Sequence, residues 1–184
     1  MSVQTRTQLQ ASALTITNET AAGANTASRV GGLFDDLADT ATLNRERGFA
    51  SLHISSAVSF TPTLNTAVKI TSTMTAGIVS TYNFTQGASS ITYTGLISAA
   101  VRVAAQVVFS GQNNQEYIIY IAKNGSIISQ SAFNQTTQGS HSHAFISEAY
   151  LNAATSDEFT VYVNAVGNAT AISIKSLTFT AHTL

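Results

Sequence analysis

The run Ile97-Ser98-Ala99-Ala100-Val101-Arg102-Val103-Ala104-Ala105-Gln106-Val107-Val108-Phe109 decides the fold. Ile97, Ala99, Val101, Val103, Ala105, Val107 and Phe109 take every second position without a break. Successive side chains of a strand point to opposite faces, so this period of two describes a strand with one apolar face. A helix would repeat its apolar residues every three to four positions.

The same period runs outward in both directions. Upstream, Leu52, Ile54, Val58 and Phe60 alternate, then Val68, Ile70 and Met74, then Ile78, Tyr82 and Phe84, with Ile91 and Tyr93 as a short strand. Downstream, Tyr117, Ile119 and Ile121 lead into Lys123-Asn124-Gly125-Ser126, where Asn-Gly suits the two positive φ angles of a type I′ hairpin turn. Ile127 and Ile128 open the return strand. Ala144 to Leu151, then Phe159, Val161 and Val163, then Ile172 and Ile174 follow. Leu177 and Phe179 are shifted by one residue, which predicts a bulge near Lys175-Ser176. About ten strands, joined by short turns with no helix between them, predict a mainly β, antiparallel sandwich or barrel.

The N-terminal part reads differently. Nine of the seventeen charged residues fall in the first 50 positions, and residues 51–100 carry only Lys69. The shift predicts a short polar module, 1–45, ahead of a β body, 46–184. Residues 1–24 show no clean period and read as an extended arm that orders against a partner. Residues 26–43 are the one helical candidate, with Asn25 at the N-cap position. Val30, Leu33, Phe34, Leu37 and Ala41 share one face, with Asp35, Asp36 and Asp39 largely off it. So short a helix does not bury this stripe alone, which makes Val30, Leu33, Phe34 and Leu37 candidates for docking or self-association.

The 184 residues fit one domain of about 150 residues with a short addition. Charged residues are 9%, against roughly 25% in ordinary soluble domains, and net charge is −1. That balance leaves no electrostatic footprint for nucleic acid or for an anionic membrane. No apolar run is long enough to span a bilayer, and MSVQTRTQLQ lacks the apolar core of a secretory signal. Without cysteines, no disulfide shapes the fold.

Three stretches of the β body carry a family resemblance. Tyr117-Ile118-Ile119-Tyr120-Ile121-Ala122-Lys123-Asn124-Gly125, followed by Ile128 and Ser131, resembles a hairpin common in the trimeric jelly rolls of tailed-phage fibre and appendage proteins, which are similar in fold to the tumour-necrosis-factor and complement-globular-head families. Leu151 to Val163, LNAATSDEFTVYV, resembles their turn-Gly-Asp-strand element, with Ser156 where glycine is usual and Asp157 kept. The ending AISIKSLTFTAHTL resembles their last strand. Upstream, Asn25-Thr26-Ala27-Ser28-Arg29-Val30-Gly31-Gly32-Leu33-Phe34 resembles a stretch that precedes the distal domain near the virion attachment.

The resemblance implies a jelly roll, a homotrimer and a non-enzymatic virion protein made in the host cytoplasm. In this reading it is a head fibre or capsid decoration, held to other virion proteins by the N-terminal arm and exposed for host-surface attachment. The alternatives are a tail-fibre tip and a free carbohydrate-binding, lectin-like module on host-surface glycan.

Candidate chemistry is sparse. His141 and His143 stand two apart, and three copies around an axis would offer six imidazoles to a transition-metal ion, as in trimeric phage spikes that this arrangement resembles; otherwise no cofactor is expected. Asp157 and Glu158 are neighbours on a strand and so point apart, which argues against a catalytic carboxylate pair. No Gly-x-Ser-x-Gly elbow, P-loop or dinucleotide fingerprint occurs, and no catalytic residue is assigned. Tyr117 and Tyr120 fall on opposite faces of one strand, so at most one of them faces outward as a sugar platform, and packing in the core or between subunits is the expected role of the tyrosines.

Overall fold

The structure, a computed structural model, describes residues 8, 10–11, 30–34, 48–79, 83–138 and 141–184. The chain divides into two units, Met1–Arg47 and Gly48–Leu184. In the first, residues 30–34 are helical, inside the stretch predicted as a helix; Asn25, Asp35, Asp36, Leu37, Asp39 and Ala41 lie outside the described residues. Gln8, Gln10 and Ala11 are helical too, which corrects the expectation of extended chain at these positions. Unbranched Gln and Ala favour helix on their own and need no apolar period to do so.

The second unit is a sandwich of thirteen strands: β1 (Phe49–Ile54), β2 (Val58–Phe60), β3 (Val68–Lys69), β4 (Thr75–Val79), β5 (Phe84–Gln86), β6 (Ser90–Tyr93), β7 (Ala99–Ser110), β8 (Glu116–Lys123), β9 (Ser126–Ile127), β10 (Phe133–Thr136), β11 (His143–Ala153), β12 (Glu158–Val166) and β13 (Ile172–Thr183). A 3₁₀ turn, Ser129–Ser131, lies between β9 and β10. Sheet 1 has the order β11-β7-β13-β1-β4, with β2 on β13. Sheet 2 has the order β10-β8-β12-β6-β5, with β3 on β12 and β9 on β8. All these strand pairs are antiparallel, and the two sheets form a jelly roll. The count exceeds ten because predicted runs are divided, Leu52–Phe60 between β1 and β2 and Ile78–Phe84 between β4 and β5, and because β10, Phe133–Thr136, has no apolar alternation to announce it.

The run that opened the argument becomes β7, a strand flanked on both sides in sheet 1. Val101, Val103, Ala105, Val107 and Phe109 are fully or almost fully buried. Phe109 stacks on Phe145 with centroids 4.4 Å apart and meets Tyr117 of sheet 2 edge-on at 5.3 Å, so aromatic contacts lock one sheet to the other. Phe84 and Tyr93 make a second edge-on pair at 5.4 Å.

Ile97 does not join this face. It is exposed in the turn before β7, and its carbonyl accepts the Tyr93 hydroxyl at 2.7 Å. Ile78 also departs from its expected face. The predicted bulge in β13 is present as a register shift between Ile174 and Ser176. Asn124 and Gly125 have φ of 52° and 77°, the two positive values that the hairpin signal required.

Candidate functional site

The outer face of sheet 1 is the most unusual surface of the second unit. Strand register places its residues in three rows. Ile146, Gln106, Thr178 and His53 form the first; Glu148, Ala104, Thr180 and Ser51 the second; Tyr150, Arg102, His182 and Phe49 the third. Ala104, Thr178 and Thr180 share the centre with the longer Gln106, Arg102 and His182, and large apolar side chains stand at the β11 edge, with Ile146 56% and Tyr150 62% exposed. Arg102 and Glu148 are the only Lys, Arg, Asp or Glu in these rows, and they neutralise each other. The guanidinium donates to Glu148 Oε2 from Nε at 3.0 Å and from Nη2 at 2.6 Å. That bond, with the Glu148 charge and a smaller contribution from Tyr150, pushes the Arg102 pKa up against the effect of desolvation. Lys175, exposed at the β13 bulge, lies outside these rows, and a patch whose charges are paired can be covered by another surface without stranding a charge.

Ser51 and His53 share this face, with Oγ and Nε2 3.2 Å apart, the geometry of a nucleophile beside a base. Their environment gives the pair a structural job. Where β4 slips against β1, Ser51 Oγ accepts the Ile78 N–H at 3.1 Å and so replaces a lost ladder bond. Gly77 makes this approach feasible, because a Cβ there would stand 2.2 Å from Ser51 Oγ and 2.6 Å from His53 Nε2. An isolated glycine in a strand pattern is a signal of this kind of bulge, and the alternation of Ile78 with Phe84 hid it at Gly77.

The turn before β12 is the second organised locus. Asp157 Oδ2 accepts from Lys123 Nζ and from the Ala154 N–H, both at 2.7 Å, and Oδ1 accepts from Asn124 Nδ2 at 2.6 Å. Asn124 Oδ1 in turn accepts the Glu158 N–H at 2.8 Å. Burial alone would raise the Asp157 carboxyl; bonds from Lys123, Ala154 and Asn124, with the Lys123 charge, overcome it and hold the group below the usual carboxylate range. Glu158 points elsewhere, to Lys69 Nζ at 3.2 Å, so the two carboxylates do not share a site. A groove of about 660 Å³ beside β11 is lined by residues that include Lys123, Gln130, Glu148, Tyr150 and Asn152, and both of its charged groups are already paired.

The other predicted residues are dispersed. In the first unit Val30 and Leu33 are half-buried, Phe34 is 63% exposed, and Leu37 lies outside the described residues. His143 opens β11, and His141 precedes it in a loop. Both rings turn to one backbone unit: His143 Nε2 accepts the Gln138 N–H at 3.0 Å, and His141 Nδ1 lies 2.8 Å from the Gln138 carbonyl. Among the described residues no group of three His, Cys, Asp or Glu could hold a metal ion. Tyr117 is buried, and Tyr120 is the outward member of its strand. No helix of the described residues is long and apolar enough to cross a membrane.

No family model and no curated protein matches this chain. Solved structures do match its fold. The Eiger TNF from S. frugiperda is 10% identical over 76% of this chain and 94% of that chain, with a TM-score of 0.53. The globular domain of zebrafish complement 1qA is 10% identical over 76% and 97%, with a TM-score of 0.52. The PRD1 vertex protein P5 is 13% identical over 74% and 73%, with a TM-score of 0.50. At such identities the likeness is one of fold.

Proposed function

We propose that this chain is a non-enzymatic structural protein of a bacteriophage virion, a homotrimeric head fibre or capsid decoration with its jelly roll exposed. The observation that carries the reading is the set of three rows across the outer face of sheet 1, which hold one internally neutralised charge pair with exposed apolar residues at the β11 edge, the exposed Lys175 lying beyond them at the β13 bulge. A three-fold assembly needs such a face, since residues around an axis meet copies of themselves and any unpaired charge would be repeated three times. The likeness in fold to a phage vertex protein supports the virion setting.

In this reading residues 1–45 dock on the particle, with Val30, Leu33, Phe34 and Leu37 as the contact stripe. Three weak contacts on one trimer then act as one strong attachment, because the first raises the effective concentration of the other two.

Native mass spectrometry of the full chain tests the trimer. A species of three chains is the expected result, and a monomer stable across micromolar concentrations removes the reading. The same run reads the metal: one transition-metal ion per trimer would require His141 and His143 of each copy to turn from Gln138 toward the axis. Deleting residues 1–24 tests the docking role, since the truncated chain should no longer enter particles. Incorporation at normal copy number would show that docking lies elsewhere.

A further inference from the structure

The outer face of sheet 2 has a different character from that of sheet 1. Register sets Tyr120 directly opposite Tyr162, with Lys69 next in the same row. All three are half-buried, so each lies along the sheet with part of its surface in solvent. Tyr162 leans back along β12, bringing its hydroxyl to 4.0 Å from where a Cβ on Gly125 would stand. Among the described residues the ring–ring contacts involve Phe84, Tyr93, Phe109, Tyr117, Phe133 and Phe145, so Tyr120 and Tyr162 stack on no other ring and keep part of their surface in solvent.

Two buried polar atoms bracket Tyr162 on the same strand face. Thr160 Oγ1, two residues before it, and Asn164 Oδ1, two residues after it, find no hydrogen-bond partner among the described residues. Thr160 is 2% exposed. Buried polar atoms of this kind are nearly always bonded in native proteins, so an unbonded pair on one face marks a place where hydroxyl or amide groups from outside are wanted. The three pleats from Thr160 to Asn164 span about 13 Å. The face carries no free charge within that span, because Lys69 is bonded to Glu158.

From these observations we infer that the outer face of sheet 2 binds a neutral oligosaccharide, stacked on Tyr120 and Tyr162 and hydrogen-bonded at Asn164. Apolar sugar faces match the solvent-exposed parts of the two tyrosine rings, sugar hydroxyls match orphaned amide and hydroxyl oxygens, and the compensated Lys69–Glu158 pair gives an anionic glycan no special hold. This deepens the virion-protein reading above by giving its exposed jelly roll a ligand on the host surface. It needs the jelly roll to be exposed but not the trimer, and sheet 2 lies on the other side of the sandwich from the face assigned to self-association.

The test is a printed array of neutral hexose and N-acetylhexosamine oligosaccharides beside sialylated and sulfated ones, probed with the full chain. Neutral oligosaccharides should be retained. Tyr120→Thr and Tyr162→Thr, which keep a strand-compatible side chain, should each weaken binding about tenfold, the scale of one lost aromatic contact. Tyr162→Phe should keep most of the binding, and Tyr150→Thr on sheet 1 should not alter it. Failure to retain any neutral oligosaccharide, retention of charged ones alone, or full binding by the Tyr120 and Tyr162 variants would overturn the site. So would a change of oligomeric state in those two variants, which would make this face a contact between copies. Loss of the trimer with glycan binding intact would instead fail the assembly reading and leave this one standing.

Discussion

The Asp157 carboxylate lies 2.7 Å from the Lys123 ammonium, and this bond joins two turns that are distant in sequence. Lys123 ends β8 at the type I′ hairpin, and Asp157 closes the turn before β12. Asn124 completes the connection through its own side chain and through its N–H, which donates to the Glu158 carbonyl at 2.8 Å. The Tyr93 N–H donates to the Asp157 carbonyl at 2.9 Å, which adds the end of β6. One carboxylate thus fixes the meeting point of three neighbouring strands in sheet 2.

This locus makes the fold acid-sensitive in a defined window. The folded pKa of Asp157 is depressed, so its contribution is complete above the unfolded value of 3.8 and is lost as pH falls through the lower folded value. Asp157→Asn should lower stability by about 2 kcal/mol at neutral pH, because the amide cannot serve Lys123, Asn124 and the Ala154 N–H together. Thermal unfolding of both proteins from pH 7 to pH 2 should show the gap closing below pH 3.8. A gap that is constant with pH would mean that the charge on Asp157 contributes nothing.

Ser156 stores strain beside it. Its φ is 75°, the left-handed value that the third position of a type II turn reserves for glycine, and the Asp157 N–H closes the turn on the Ala154 carbonyl at 3.0 Å. Ser156→Gly should therefore stabilise the protein by about 0.5–1 kcal/mol, the relief of the left-handed penalty less the extra freedom glycine has when unfolded. Urea denaturation measures this, and a midpoint that falls would show that Ser156 is not strained.

Legibility followed how local each determinant is. β7 was readable because one strand face buries a continuous apolar set. The Asn124-Gly125 turn was readable because its φ values depend on those two residues alone, and the β13 bulge appeared as a broken alternation. The sequence also put Ser156 in a glycine position, and the turn there keeps the glycine geometry. Ile78 misled because the run it shares with Phe84 is divided between β4 and β5, which no local period records. The tyrosine pair was barely visible: the alternation said that at most one of Tyr117 and Tyr120 faces outward, not which, and Tyr162 lies forty-two residues away and meets Tyr120 only through β8–β12 register. The outer face of sheet 1 was hidden for the same reason, since its rows draw on four strands from β1 to β13.

Gly77 tests the bulge. Alanine there would place a methyl group 2.2 Å from Ser51 Oγ, so the serine must give up the Ile78 N–H or β4 must move away from β1. Gly77→Ala should cost about 1–3 kcal/mol, and hydrogen exchange should quicken at Ile78 before it does at β7. Unchanged stability would show that β4 is loosely held and that Ser51 is not needed to close the bulge.

Ala104 is the point at which assembly and folding separate. It is half-buried at the centre of the sheet 1 outer face, between Glu148 on β11 and Thr180 on β13, so a longer side chain can stand outward in a single chain without entering the core. Ala104→Glu sets a second carboxylate directly opposite Glu148, where like charges repel by a few tenths to about 1 kcal/mol in one chain. In a trimer closed through this face the penalty is larger, because three added carboxylates would be desolvated without partners at several kcal/mol each. The variant should keep the far-ultraviolet dichroism and nearly the thermal midpoint of the parent, yet sediment as one chain. Thr85→Glu, on an exposed position of β5 in sheet 2, should sediment as the parent does. If Ala104→Glu still forms the trimer, the three-fold contact lies on another face, and the neutral rows of sheet 1 need a different partner.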